Sequence, residues 1–224
     1  MTTWDLKQLR DLIKAYKGER EDLNELVNAI GNGIDVFRYH LYTARDALKP
    51  FVENTQDVNL MHLKYLFGTT NNQDEYELAK LSNQANVIAA IYTTRSLFDV
   101  FSQLVRGCIL ENLVSAEKCN IHNVRDNLKP CELKSCLDEL LSSNGFKYIN
   151  DFANVSKHRS MIKFGTSINF NENKAGVRFS AFVYGNRKHP EMWSNDVLEL
   201  VLKVKNTIVD AGTLLNNEIL RANI

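Results

Sequence analysis

The sequence predicts an all-α fold, a helical bundle with one small β-hairpin inserted before the last helix. Three observations predict it. Apolar residues recur at spacings of three and four along most of the chain. Only three prolines (Pro50, Pro130, Pro190) and ten glycines punctuate 224 residues, too few for a loop-rich β fold. Between about 161 and 184 the period changes from that of a helix to strict alternation, the mark of paired strands. A chain of this length can bury a full core, and it reads as one domain over residues 1–224.

Each element follows from its pattern. Trp4, Leu6, Leu9, Leu12, Ile13 and Tyr16 share one helical face, with Thr3 placed to cap it. Gly18 marks a break. Leu23, Leu26, Val27, Ile30, Ile34, Phe37, Leu41 and Leu48 outline a longer helix that Pro50 limits. Gly31 and Gly33 either weaken its middle or admit a neighbouring helix. Residues 54–73 read as a loop around one or two helical turns, with Asn71-Asn72-Gln73 beyond the apolar stretch Leu60 to Phe67.

The helix from about Asp74 to Ile109 is expected to be the central one. Leu78, Leu81, Ala85, Ile88 and Tyr92 form one stripe; Val87, Ile91, Phe98, Phe101 and Val105 form a second. A helix apolar on two faces is a buried one. Pro130 starts a shorter helix reaching about 142, and Asn144-Gly145 supplies a stop. Phe146 to His158 follows, with Tyr148, Ile149, Phe152 and Val155 inward. Ile162, Phe164, Ile168 and Phe170, then Val177, Phe179, Ala181 and Val183, read as the hairpin strands around a polar turn at 171–176. Ser194 or Asn195 caps the last helix, with Val197, Leu198, Val201, Leu202, Val204, Ile208, Leu215 and Ile219 inward.

Charge and cysteine usage narrow the function. The formal net charge is zero, which argues against a general nucleic-acid coat protein. The average hides an asymmetry. Residues 146–190 carry eight basic side chains (Lys147, Lys157, Arg159, Lys163, Lys174, Arg178, Arg187, Lys188) against two acids, Asp151 and Glu172. Residues 1–145 carry 16 basic against 20 acidic. Such a local excess reads as an anion-facing surface, or as a face for an acidic partner. The N-terminus lacks an apolar stretch after a basic start, and no run approaches the roughly 20 apolar residues of a membrane span. The expectation is a cytoplasmic protein with no membrane contact. Cys119, His122, Cys131 and Cys136 lie close in sequence, but on a helix positions 131 and 136 point about 140° apart. No CxxC pair exists, so reduced thiols are expected and no metal. There is no G-x-S-x-G, Walker loop, G-x-G-x-x-G or H-E-x-x-H, and no cofactor is expected.

Two polar groups interrupt the apolar patterns. Continuing the first stripe of the central helix beyond Tyr92 reaches Arg95 and Asp99, two charges where core residues are due. They pair with each other at i,i+4 along a wet seam, or they bind a ligand. Asn150, Asn154 and His158 form a polar stripe opposite Phe152 and Val155, with Lys157 and Arg159 beside them. His158 is the candidate general acid or base, Asn154 its positioning group, and Lys157 or Arg159 the phosphate contact. The structural alternative is that these side chains serve the last helical carbonyls and solvent. Arg38-Tyr39-His40 is a minor basic-aromatic patch, with His40 read as a boundary residue.

The Arg95-Ser-Leu-Phe-Asp99 segment of the long helix, the Asn154-Val-Ser-Lys-His-Arg159 helix end and the closing helix resemble the HEPN superfamily of prokaryotic helical bundles. The resemblance covers residues 75–224. It implies a bundle fold, homodimerisation, and either RNA cleavage or binding of RNA, a nucleotide or a protein partner, in defence or stress systems. Nuclease members carry arginine followed four to six residues later by histidine. This chain has no Arg-x4-6-His, and Arg159 follows His158. The resemblance therefore implies a binding relative first and a metal-independent ribonuclease using His158 second, with a structural interaction module without ligand as the third reading. Tyr39, Tyr42 and Trp4 are the aromatics expected at a dimer interface.

Overall fold

The computed structural model describes residues 3–51, 58–172 and 174–222. Eight α-helices occur among them: α1 Leu6–Lys17, α2 Glu21–Ala47, α3 Val58–Leu66, α4 Gln73–Val105, α5 Ile121–Asn127, α6 Glu132–Ser142, α7 Asn144–His158 and α8 Ser194–Ala222. Five short strands separate α7 from α8: β1 Phe164–Asn169, β2 Lys174–Phe179, β3 Phe182–Tyr184, β4 Arg187–His189 and β5 Met192–Trp193. A π-helical turn, Arg106–Leu110, extends α4. The fold is mainly α, with an antiparallel hairpin before the last helix, as the periodicity predicts. The chain divides into two compact units, residues 1–36, 93–149 and 202–224 in one, residues 37–92 and 150–201 in the other.

The first unit is packed through glycines. A Cβ at Gly33 of α2 would stand 2.7 Å from Leu97 of α4, and one at Gly107 2.3 Å from Leu23. A Cβ at Gly212 of α8 would lie 2.1 Å from the Trp4 ring. Missing side chains therefore let elements approach where any larger residue would push them apart. Trp4 is buried, meets Phe101 edge-on at 5.9 Å, and donates from its indole to Asn216 Oδ1 at 3.1 Å. It thus leaves the expected dimer surface for the core. Asp5, not Thr3, caps α1, its carboxylate accepting from the Gln8 amide at 2.8 Å.

In the second unit β1 pairs antiparallel with β2 (Phe164 opposite Phe179), and β2 pairs with β5 (Arg178 opposite Trp193). A separate hairpin joins β3 to β4, with Phe182 opposite His189. Phe152 of α7 holds both sheets, edge-on to Phe179 at 5.5 Å and to Phe182 at 5.8 Å. Tyr76 of α4 stacks on Tyr65 of α3 at 4.0 Å and its hydroxyl meets Thr166 of β1 at 3.0 Å.

Three expectations change. The strand expected over 177–183 stops at Phe179, and the chain starts a second hairpin whose turn, Gly185-Asn186, has the left-handed glycine (φ 57°) that two-residue turns favour. Asn144-Gly145 opens α7 instead of closing α6. Ser143 does both jobs: its amide returns to Glu139 and Leu140, and its hydroxyl accepts from the Phe146 amide at 3.1 Å. The two stripes of α4 are also unequal. Val87, Ile91, Phe98, Phe101 and Val105 are buried, whereas Leu78 and Leu81 are 68% and 58% exposed. The helix is buried along one stripe only, and Arg95 and Asp99 continue the other.

Candidate functional site

Five of the eight basic residues of 146–190, Lys157, Arg159, Lys163, Arg187 and Lys188, lie at the end of α7, just before β1 and on the β3–β4 hairpin, in the second unit, whereas Lys174 and Arg178 of β2 pair with Asp196 and Glu191. Helix α7 stops because the amides of Arg159 and Ser160 both return to the Val155 carbonyl, at 2.9 and 3.2 Å. Lys157 and His158 occupy its last turn, where cations meet the negative end of the helix dipole. The chain then runs through Lys163, whose carbonyl accepts from the Ser180 amide at 2.9 Å. That bond brings Lys163, the residue before β1, beside the start of the second hairpin.

Two arginines flank Tyr184. The Arg159 guanidinium lies 5.2 Å from its ring centroid and that of Arg187 6.0 Å. Lys157, Arg159, Lys163 and Lys188 are exposed, and none forms an ion pair among the described residues. Their charge is therefore available to an external anion. Arg187 is different, because its charge is already answered.

The partner of Arg187 is Asp151, on the inner face of α7 and completely buried. Its two oxygens accept from Arg187 Nη2 and Nε, both at 2.6 Å, and one of them also accepts from His189 Nε2 at 2.8 Å. An ionised carboxylate only accepts, so Nε2 carries the imidazole proton. The His189 ring stacks on Phe182 at 4.6 Å with 25° between planes. Burial alone would push the Asp151 carboxyl up; the hydrogen bonds from Arg187 and His189 outweigh it and hold the group below the ordinary carboxylate range. One buried carboxylate thus ties the β3–β4 hairpin to α7 and fixes the hairpin that bears Tyr184 and Lys188.

The residues singled out from the sequence distribute as follows. Lys157, His158 and Arg159 are exposed at the α7 end, and Asn154 is half-buried one turn earlier. Asn154 makes no hydrogen bond to His158, so the positioning role read from their spacing has no contact behind it. Arg95 and Asp99, in the first unit, pair with each other at 2.7 Å, the i,i+4 arrangement. His40 is half-buried with Nδ1 2.8 Å from Asn86 Oδ1. Cys131 Sγ accepts from the Lys134 amide at the start of α6, and burial pushes the Cys108 thiol up to about 12. Among the described residues no three His, Cys, Asp or Glu side chains gather as a metal site, and no helix is long and apolar enough to cross a membrane.

Asp151, Arg187 and His189 were not singled out, although a signal was present. Position 151 falls between Tyr148 and Val155 on the apolar face of α7, and a charge there needs partners. Arg187 and His189 alternate on one face of a strand, the spacing that lets both reach one carboxylate. No family model, no curated protein and no solved structure matches the chain.

Proposed function

We propose that the protein is a HEPN-like RNA-binding protein whose contact surface is the α7 end with the β3–β4 hairpin. The observation that carries this reading is the group of four exposed cations without carboxylate partners, Lys157, Arg159, Lys163 and Lys188, on the α7 end, the segment before β1 and the β3–β4 hairpin, with Arg159 against the Tyr184 ring. Unanswered cations exchange counterions for phosphates, and an arginine-flanked aromatic offers a surface for an unstacked base. Binding is favoured over cleavage because His158 has neither Asn154 nor a carboxylate to orient it. A place in bacterial defence or stress response belongs to the same proposal and rests on the resemblance. So does homodimerisation, for which exposed Tyr39 of α2 and Leu78 and Leu81 of α4 supply apolar surface.

The test is fluorescence anisotropy with a labelled single-stranded RNA of mixed sequence, across a salt series. Binding should weaken as salt rises, and the Lys157→Glu, Arg159→Glu double variant should lose about tenfold or more in affinity. The slope of log affinity against log salt should become shallower by about 1.4, from about 0.7 per lost single-strand phosphate contact. Salt-insensitive binding, or an unchanged double variant, would overturn the proposal. Cleavage of the RNA that disappears in His158→Ala would replace it with the ribonuclease reading. Sedimentation of the same samples reads the dimer: a monomer at tens of micromolar, where a specific pair of micromolar Kd is largely formed, removes it.

A further inference from the structure

A second site lies in the same unit, apart from the residues of the basic patch. A cleft of about 560 Å3 is lined by the end of α2 (Tyr42, Arg45, Lys49), by Lys174 of β2 with Trp193, and by the first turns of α8. That volume is within the range of small-ligand sites. Its lining includes two buried polar side chains, His62 and Asn83. Asn83 is fixed from both ends, donating to the Ala44 carbonyl at 2.7 Å and accepting from the Ser194 hydroxyl at 2.6 Å. The wall is therefore built before any ligand arrives.

Two cations of the cleft each pair with an acid of α8. Arg45 pairs with Glu199, and Lys174 pairs with Asp196 at 2.8 Å. Positions 196 and 199 are three apart on α8 and so are neighbours on one helix face. Two cations from different elements thus meet the same face, side by side. Both pairs are partly solvent-exposed, and such pairs contribute little. A phosphate, which matches the guanidinium fork and carries more charge than a carboxylate, can take over both cations. The ring of Tyr42 is exposed at the same cleft, which Leu48 also lines.

We propose that this cleft binds a mononucleotide, with its phosphate on Arg45 and Lys174 and its base against Tyr42. The inference goes beyond RNA binding at the α7 end and does not depend on it. Glu199 is the competitor for Arg45, which gives the proposal two substitutions with opposite signs.

Isothermal titration of the whole chain with AMP, GMP, CMP and UMP, beside adenosine and inorganic phosphate, tests it. At least one mononucleotide should bind about tenfold more tightly than the nucleoside or phosphate alone, because the halves lack each other's contacts. Arg45→Gln should weaken that binding about fivefold or more, and Glu199→Gln should tighten it about twofold to fivefold. Both side chains are at the surface, so melting temperatures near the parent value check that the fold is retained. The Lys157→Glu, Arg159→Glu double variant should leave mononucleotide affinity unchanged, which separates this site from the RNA surface. No mononucleotide binding at millimolar concentration overturns the proposal. So does binding that Arg45→Gln and Glu199→Gln leave equal, or that Glu199→Gln weakens.

Discussion

Two buried asparagines show how differently the two units use the same chemistry. Asn216 in the first unit accepts from the Trp4 indole and donates to the Asp5 carbonyl at 3.1 Å and to Gln8 Oε1 at 2.9 Å. Every one of those partners comes from the N-terminal segment, so the amide seals α1 onto α8. Asn83 in the second unit bonds Ala44 and Ser194 and lines an open cleft. The contrast extends to apolar side chains. In the first unit the exposed large ones among the described residues are Tyr16, Val36 and Leu113, while the second exposes Tyr39, Tyr42, Leu60, Leu66, Phe67, Leu78, Leu81, Met161, Phe170 and Val183. One unit spends its polar and apolar groups on itself. The other leaves charge, aromatic surface and a cavity for something else.

The comparison breaks first at Trp4. Replacing it with alanine removes a buried ring from Gly212 and Phe101 and deprives Asn216 Oδ1 of its donor. The expected loss is about 3–5 kcal/mol in urea denaturation, the usual range for a buried aromatic. RNA affinity of the folded protein, measured cold, should stay at the parent value, since the Trp4 partners Asn216, Phe101 and Gly212 all belong to the first unit. A loss below about 1 kcal/mol would mean that the first unit is not the closed core described above.

Asp151→Asn should follow, at about 2 kcal/mol, because it weakens three charge-assisted hydrogen bonds at a buried position, while the half-exposed Arg187 can still turn to water. The sign of the pH dependence is fixed by the depressed carboxyl. A group with a folded value below its unfolded one, about 3.9 for aspartate, stabilises fully above that unfolded value. The contribution disappears as pH falls through the folded value. The gap between parent and variant, read by urea denaturation, should therefore be full at pH 7 and shrink progressively below about pH 4. A gap that stays constant into that acid range would show that the Asp151 cluster contributes through packing and not through charge. The variant should also weaken RNA binding, since Tyr184 and Lys188 ride on the hairpin that Asp151 holds.

Helices were legible because a 3.6-residue period survives any tertiary context, and the break at Gly18 (φ 74°) was legible because glycine alone adopts that conformation freely. The close approach at Gly33 was also readable as one of two options, and Leu97 decides between them. What periodicity cannot tell is which of two apolar stripes faces the core. Leu78, Leu81 and Ala85 repeat as regularly as Val87 and Ile91, yet they lie outside. The second hairpin was hidden because β3, β4 and β5 are two or three residues long, too short for alternation to show. The basic surface was visible as composition, but its geometry depends on a long-range partner. Asp151 is 36 positions from Arg187, and no local rule joins them.

The smallest effect is expected at Asp99, and it tests the reading of α4 directly. If Arg95 and Asp99 occupied core positions, Asp99→Asn would leave an under-compensated cation and cost several kcal/mol. The structure puts them on the continuation of the stripe whose earlier members, Leu78 and Leu81, are exposed; the Asp99 side chain is itself 59% exposed. Water then solvates Arg95 when the carboxylate is neutralised, and only a single i,i+4 pair is lost. Such a pair contributes about 0.2–0.5 kcal/mol, and less as salt screens it. Urea denaturation of Asp99→Asn at low and high salt should therefore show a small loss that fades with salt. A loss above about 2 kcal/mol that salt leaves untouched would place the pair in a buried site and return it to the list of ligand-binding candidates.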